Sequence, residues 1–286
     1  MAELTLLRKK IQSIKTTKKI THAVRLVSMS LYSRLEKQRE TLQNYQNTIF
    51  KLFCYTQIQN PEWKNKILIP GDILDSKPLF IIISTSKGLC GSLNSNLLRY
   101  LQKTLTLEPH QEAEIITIGH KAQKFLPDLI LPKNTRSILG FNELTSSNYQ
   151  KISKDIIDII YRPKKPYSSV VFFSNKIKNF FVQNPSKTTI IPATLKTEEE
   201  IKQKDLIWTE NSDIIMNSLA KLYLKSSIFD VLFQAILAEQ AARFIAMDNA
   251  TNNAENYLDL LTLQFNKTRQ ALITKEVSEL SSGLQD

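Results

Sequence analysis

Proline and glycine are almost absent from the two ends of this 286-residue sequence. All ten prolines and five of the six glycines lie within residues 61–192. Because these residues break or weaken helices, their absence excludes a succession of short elements and tight turns in residues 1–60 and 193–282. It predicts two very long helices that frame one compact insert.

Cysteine is also scarce, and long apolar runs are missing. Cys54 and Cys90 stand in unrelated contexts, which excludes a disulfide framework and a structural zinc site. No apolar run approaches the roughly 18 residues of a membrane span, and the first ten residues lack the apolar core of a signal peptide. We therefore expect a soluble or peripheral protein in a reducing compartment. The helical pattern begins within the first few residues rather than after a transit peptide, which favours a bacterial source.

Catalytic patterns are missing as well. His22, His110 and His120 lie in three different segments, and the sequence contains no HExxH motif, serine elbow or paired carboxylates in apolar surroundings. We therefore expect that the chain is not an enzyme by itself and holds no metal or cofactor.

Residues 85–92 follow a predicted strand, where phosphate-binding loops also occur. This segment has two glycines, and Lys87 precedes both, so it matches neither a P-loop nor a dinucleotide fingerprint. We expect a structural turn at Gly88 and Gly91. A nucleotide-dependent enzyme built on the insert stays a weaker alternative.

Charge is distributed unevenly along the chain. The net charge is +11, with 11 basic and 3 acidic residues in 1–60 but 9 and 14 in 193–286. A basic balance is typical of nucleic-acid-binding proteins, so a basic coiled-coil protein of that class is one hypothesis. The opposite charge of the two ends, +8 and −5, instead favours pairing between the end helices.

The first predicted helix carries a narrow apolar seam with the 4,3 spacing of a heptad repeat, which favours coiled-coil packing. The seam residues are Leu4, Leu7, Ile11 and Ile14, then Val24, Val27 and Leu31, then Leu42, Tyr45, Ile49 and Leu52. Between the first two groups, the basic run at 15–19 either shifts the phase of the repeat, as a stutter does, or is a solvated basic turn of helix.

The last segment has a wider apolar face that is rich in alanine and allows close helix packing. Its members are Ile228, Val231, Leu232, Ala235, Ile236, Ala238, Ala242 and Ile245. Over residues 248–256 the pattern turns polar, and the asparagines there are expected to enter the seam and fix its register. Residues 266–276 are polar on nearly all sides. Such a helix is either held by something outside the chain or is a frayed, solvated end.

The insert alternates between two patterns. Residues 79–84, 113–118 and 168–174 are apolar and rich in β-branched side chains, which predicts buried strands, and residues 94–103 and 121–126 look helical. Strand, turn and helix in repetition are typical of a small α/β domain with a parallel sheet.

Four motifs, in order along the chain, resemble the gamma subunit family of F-type ATP synthases. They are Ile11-x-Ser13-Ile14-x-x-Thr17-x-Lys19-Ile20-Thr21, Ser86-Lys87-Gly88-Leu89-Cys90-Gly91-x-Leu93-Asn94, Glu239-Gln240-Ala241-Ala242-Arg243-x-x-Ala246-Met247 and Asn266-Lys267-x-Arg269-Gln270-Ala271-x-Ile273-Thr274-x-Glu276. The resemblance runs nearly from end to end.

The resemblance implies an antiparallel coiled coil of the two end helices with an inserted Rossmann-like α/β domain. We expect boundaries at 1–58, 75–195 and 208–284. It also implies a noncatalytic rotor that transmits torque between a proton- or sodium-driven ring of c subunits and the catalytic beta subunits. The partners would be three alpha and three beta subunits, epsilon and the c ring, with no nucleic acid. The location would be the cytoplasmic side of the bacterial inner membrane, reached through the c ring.

The resemblance also transfers partner-binding residues. Arg269, Gln270 and Thr274 match positions that contact the catch loops of the beta subunits. Val24 and Arg25 belong to the stretch of the first helix, 24–28, that is expected to face the tail motif. Lys87 is added as a structural contact.

The sequence departs from the family pattern at several positions. Asp248 stands where lysine usually follows Ala-Met, and Ser86 stands where aspartate is usual. The segment 208–210 only loosely matches the aromatic-Glu-Pro of the family. These departures weaken the transfer of contacts to the upper part of the first helix and to the c ring.

Overall fold

The computed structural model describes residues 2–60, 62–63, 65, 68, 76–107, 112–128, 134–162, 166–193 and 211–282. The helices are α1 (Ala2–Gln59), α2 (Leu93–Leu107), α3 (His120–Phe125), α4 (Tyr149–Tyr161) and α5 (Ser212–Ser282). The strands are β1 (Pro78–Ile83), β2 (Glu112–Ile118), β3 (Asn134–Phe141), β4 (Ser169–Asn179) and β5 (Val182–Ile191).

The two predicted long helices are confirmed, with 58 residues in α1 and 71 in α5. The expected start of the last helix at 208, and the segment 208–210, lie outside the described residues. All five strands form one sheet in the order β3-β2-β1-β4-β5, in which β5 alone is antiparallel. The mostly parallel sheet was thus predicted correctly, while β3, α4 and β5 were not predicted.

Residues 31–242 form one compact unit around this sheet. Side chains of β1 alternate between the two faces, as the two-residue period of a strand requires. Leu79 and Ile81 pack with residues of α1, α4 and α5, whereas Phe80 and Ile82 pack with α2 and α3. A strand covered on both faces is apolar throughout, and this is why β1 was recognisable in the sequence.

The alanine-rich face of α5 lies in the same unit as far as Ala242. Seven of the eight predicted members are buried, namely Ile228, Val231, Leu232, Ala235, Ile236, Ala238 and Ala242, and Ile245 is half-buried. Phe233, Leu237 and Ala241 are buried as well, so this part of α5 is covered on most sides. The helix serves as the central support of the unit.

Residues 2–30 and 243–282 form the second unit. Its α5 portion has an unbroken 4,3 seam of buried and half-buried side chains: Met247, Thr251, Ala254, Leu258, Leu261, Phe265, Thr268 and Leu272. The asparagines at 249, 252, 253 and 256 are all exposed. The expectation that they enter the seam is wrong, because Thr251 and Ala254 occupy those positions instead.

The hypothesis of a stutter in α1 is also wrong, and the alternative of a solvated turn of helix agrees with the exposure of Lys15 and Lys19. Every seventh residue of the helix is buried or half-buried: Leu7, Ile14, Thr21, Ser28, Leu35, Leu42, Ile49 and Thr56. The repeat passes through the basic run without a change of phase because Thr21 and Ser28, 9% and 1% exposed, fill the seam with hydroxyl side chains. Val27, Tyr45 and Leu52, which were assigned to the seam from their hydrophobicity, are exposed.

Candidate functional site

Three polar pairs join α1 to α5 in the unit formed by 2–30 and 243–282. Lys18 Nζ lies 2.8 Å from Glu255 Oε1, and Arg25 Nη1 lies 2.5 Å from Asp248 Oδ1. Between them, the hydroxyl oxygens of Thr21 and Thr251 are 2.9 Å apart. As residue numbers rise on α1 they fall on α5, so the two segments are antiparallel, as the resemblance implies.

The ion pairs affect a pKa and restrict a side chain that was expected to bind a partner. The hydrogen bond from Lys18, together with its positive charge, lowers the pKa of the Glu255 carboxyl. Arg25 Nη2 lies 3.0 Å from His22 Nδ1, a nitrogen that accepts this bond when it carries no proton. Arg25, which the resemblance assigns to partner binding, is therefore already engaged by Asp248 and His22 within the chain. The unusual aspartate at 248 supplies the charge opposite Arg25.

The tail residues lie far along α5 from these pairs. Arg269, Gln270 and Thr274 are exposed. The Thr274 hydroxyl donates to the Gln270 carbonyl at 3.0 Å, an ordinary bond within one helix. The surface from which their side chains project also carries apolar residues, since Ile273 is 51% and Val277 59% exposed.

The register separates the two groups of predicted contact residues. Arg25 stands opposite Asp248, and Arg269 follows 21 residues later on α5. At about 1.5 Å per residue, about 30 Å of helix lies between them. The expectation that 24–28 faces the tail motif is therefore corrected: these positions form two separate surfaces.

The glycine-containing turn is held by its own residues. Asn94 Oδ1 accepts a bond from the Thr85 amide at 3.1 Å, and Asn94 Nδ2 donates to the Thr85 hydroxyl at 2.8 Å. Left-handed backbone occurs at Leu89 (φ 65°) and Gly91 (φ 58°), whereas Gly88 has no such conformation. Cys90 and Leu93 pack with Ala242 of α5, so the second and third sequence motifs meet here.

The carboxyl edge of the sheet is where open α/β folds bind ligands, beside the strand at which the order reverses. Here α5 occupies that place. The space between Ser84, Asn175 and Glu239 is a cavity of about 10 Å³, which is at most the room of one water molecule. A nucleotide cannot enter it.

No cluster of His, Cys, Asp and Glu suited to a metal ion occurs among the described residues. In the same part of the chain, none of the helices has the length and apolarity needed to cross a membrane.

Comparison with known proteins decides the family. A family model described as ATP synthase matches residues 3–285. The ATP synthase gamma chain of Pelagibacter ubique is 32% identical over 299 aligned positions, which cover 100% of this chain and 99% of that protein. The chain belongs to the ATP synthase gamma chain family. The gamma chain of Mycoplasma capricolum is 30% identical, with 99% and 98% of the two chains covered.

Solved structures show the same fold. A chain of the Euglena gracilis mitochondrial ATP synthase, in a structure of its OSCP, F1 and c-ring, has a TM-score of 0.68 at 17% identity and covers 99% of this chain and 94% of its own. A chain from the central stalk and c-ring of the Tetrahymena thermophila mitochondrial enzyme has a TM-score of 0.56 at 20% identity, with 81% and 99% covered.

Membership of the gamma chain family makes this a noncatalytic central-stalk subunit of an ATP synthase. The hypothesis of a nucleic-acid-binding coiled coil finds no support in these comparisons. The basic residues that suggested it include Lys18 and Arg25, which pair with acidic residues of α5.

Proposed function

We propose that this chain is the rotor shaft of a bacterial F1Fo ATP synthase and transmits torque between the ion-driven c ring and the catalytic beta subunits. The observation that carries the proposal is the family match over residues 3–285, together with two long end helices that pair antiparallel. Proton or sodium flow through the ring would then be coupled to ATP synthesis or hydrolysis.

The partners follow from this role. Three alpha and three beta subunits would surround the end helices, and epsilon and the c ring would bind elsewhere on the chain. The chain would be peripheral, on the cytoplasmic side of the bacterial inner membrane, and would reach the membrane through the c ring. Within the chain, the proposed divisions are an N-terminal coiled-coil helix at 1–58, a Rossmann-like α/β domain at 75–195 and a C-terminal coiled-coil helix at 208–284.

Torque requires that rotation of the shaft favours a different conformation in each of three identical neighbours, which is a shift of populations. The exposed tail supplies directional contacts for this. Arg269 offers a planar fork of donors for a carboxylate, Gln270 offers an amide, and Thr274 a hydroxyl. Because these three side chains are exposed on α5, they can contact the beta subunits.

The surface around Val24 and Arg25 would act differently. Val24 is half-buried, and Arg25 is held by Asp248 and His22. We therefore assign this stretch a contact with the beta subunits through a side chain fixed in advance, which loses little conformational entropy on binding.

The double substitution Arg269→Ala with Gln270→Ala tests the tail assignment. We expect a several-fold loss of ATP-driven rotation rate under load in the reconstituted alpha, beta and gamma complex, because charge-assisted bonds to the partner are lost. The control is Gln264→Ala with Lys275→Ala, which likewise removes one amide and one positive charge from exposed positions on α5. Equal rotation in the double variant and the unmodified chain would refute the assignment.

A further inference from the structure

The hairpin between β4 and β5 has an unusual tip. Asn179 pairs with Val182, which leaves Phe180 and Phe181 as a two-residue loop. Loops of this length favour Gly or Asn with positive φ, yet neither phenylalanine has a positive φ. Asn179 Oδ1 instead accepts bonds from the amides of Phe181 at 3.0 Å and Val182 at 2.9 Å. The turn is therefore stabilised from outside the loop, and the two loop positions can hold large side chains.

The two phenylalanines have different environments. Phe180 packs edge-on against Tyr32 of α1, with ring centroids 4.8 Å apart. Phe181 rests on Phe180 at 5.2 Å and is 75% exposed, the highest value for any large apolar side chain among the residues described. An aromatic ring held on a fixed base binds at a low entropic penalty, which is the property of an interface anchor.

The charge within the hairpin has one sign, although Glu36 of α1 lies beside Tyr32 and Asp230 of α5 interacts with Lys176. The hairpin, residues 169–191, contains Lys176, Lys178 and Lys187 and no acidic residue. Lys178 is exposed, next to the loop. An apolar ring with basic neighbours complements a pocket on an acidic protein surface.

We propose that the tip of the β4–β5 hairpin is a docking element, in which Phe181 inserts into an apolar pocket on an acidic surface of the alpha/beta assembly. This rests on the proposed function. Tyr32, the base of the tip, follows Ser28 by four residues on α1, and 24–28 is the stretch assigned to that same assembly. A membrane surface is disfavoured because one exposed phenylalanine is a small apolar anchor. A nucleic acid is disfavoured because base stacking uses several exposed rings.

The test uses the full chain and the alpha/beta assembly of the same organism, with a measurement of the dissociation rate of the complex. Phe181→Ser is expected to dissociate about ten to a hundred times faster, because burial of the ring is lost. Leu107→Ser is the matched control, since Leu107 is 71% exposed on α2, and should change the rate less than about twofold. Phe181→Trp should retain slow dissociation.

Two charge-reversal variants extend the test. Lys178→Glu should slow association, most strongly at low salt, whereas Lys103→Glu on α2 beside Leu107 should not. If the unmodified chain fails to assemble with the alpha and beta subunits, the proposed function is refuted. If it assembles and Phe181→Ser dissociates like Leu107→Ser, only the docking element is refuted. Phe181-dependent binding to phosphatidylglycerol vesicles, with an unchanged dissociation rate from the assembly, would also overturn it.

Discussion

Gly119 connects β2 to α3 with φ of 93°, a conformation that L side chains rarely adopt. Its amide donates to the Phe141 carbonyl at 2.7 Å, and the Ser84 carbonyl lies where a Cβ would stand. Gly119 therefore lies at the carboxyl edge of the sheet, where β1, β2 and β3 end close together. Gly88, in contrast, has open space around it.

Gly119→Ala should lower the free energy of unfolding by about 2–4 kcal/mol, through overlap with the Ser84 backbone and left-handed strain. Urea denaturation measures this. Gly88→Ala serves as the control and should stay within about 0.5 kcal/mol of the unmodified protein. A cost for Gly119→Ala no larger than for Gly88→Ala would contradict the geometry.

Hydroxyl residues limited what the sequence could reveal about the seam. Thr21, Ser28 and Thr251 occupy buried seam positions, but hydrophobicity does not distinguish them from solvated threonine and serine. The exposed Val27 was misassigned for the converse reason, since single apolar residues on a surface are common. A strict seven-residue count from Leu7, applied without regard to polarity, would have found the seam.

Among the elements, α1 and α5 are paired by charge as well as by packing. Arg25 and Asp248 are partly exposed, 23% and 36% at their side chains, so their attraction is modest. The seam between them is narrow, with small or polar residues such as Ala254 and Thr251. Electrostatic pairs thus contribute a larger share of the pairing here than in an ordinary core.

Asp248→Lys should weaken the pairing of the end helices by about 1 kcal/mol, because it replaces an attraction by a like-charge contact with Arg25. Hydrogen exchange of residues 243–256 in the isolated chain measures it. Asp259→Lys is the control, since Asp259 is exposed on the same helix. If both reversals accelerate exchange equally, the effect is one of net charge and not of the pair.

The strands and helices of the insert differ in how clearly the sequence marks them. β1 and β2 are covered on both faces, so their apolar runs were evident. β5 is an edge strand with Pro185 and Lys187 and a largely half-exposed pattern, which hides it from a search for apolar runs. The position of α5 at the carboxyl edge of the sheet could not be predicted from sequence patterns, because it depends on a contact between segments far apart in the chain.

At the scale of the whole molecule, the two units differ in how much apolar surface they bury. The three apolar clusters lie entirely within residues 31–242. In the other unit, the described residues include four buried apolar side chains, Leu7, Met247, Ala254 and Leu261. Local stability follows buried contacts, so the tail of α5 should open more readily than its central portion.

Amide hydrogen exchange of the free chain should therefore be at least about tenfold faster in residues 258–279 than in 223–242. Assembly with the alpha and beta subunits should slow exchange in 258–279 and leave 223–242 little changed, because binding to the folded form stabilises the segment it covers. α2 provides an internal reference. Equal protection of both portions of α5 in the free chain would show that the helix is stable by itself. The polar tail would then not depend on its partners for the stiffness that a torque-transmitting shaft requires.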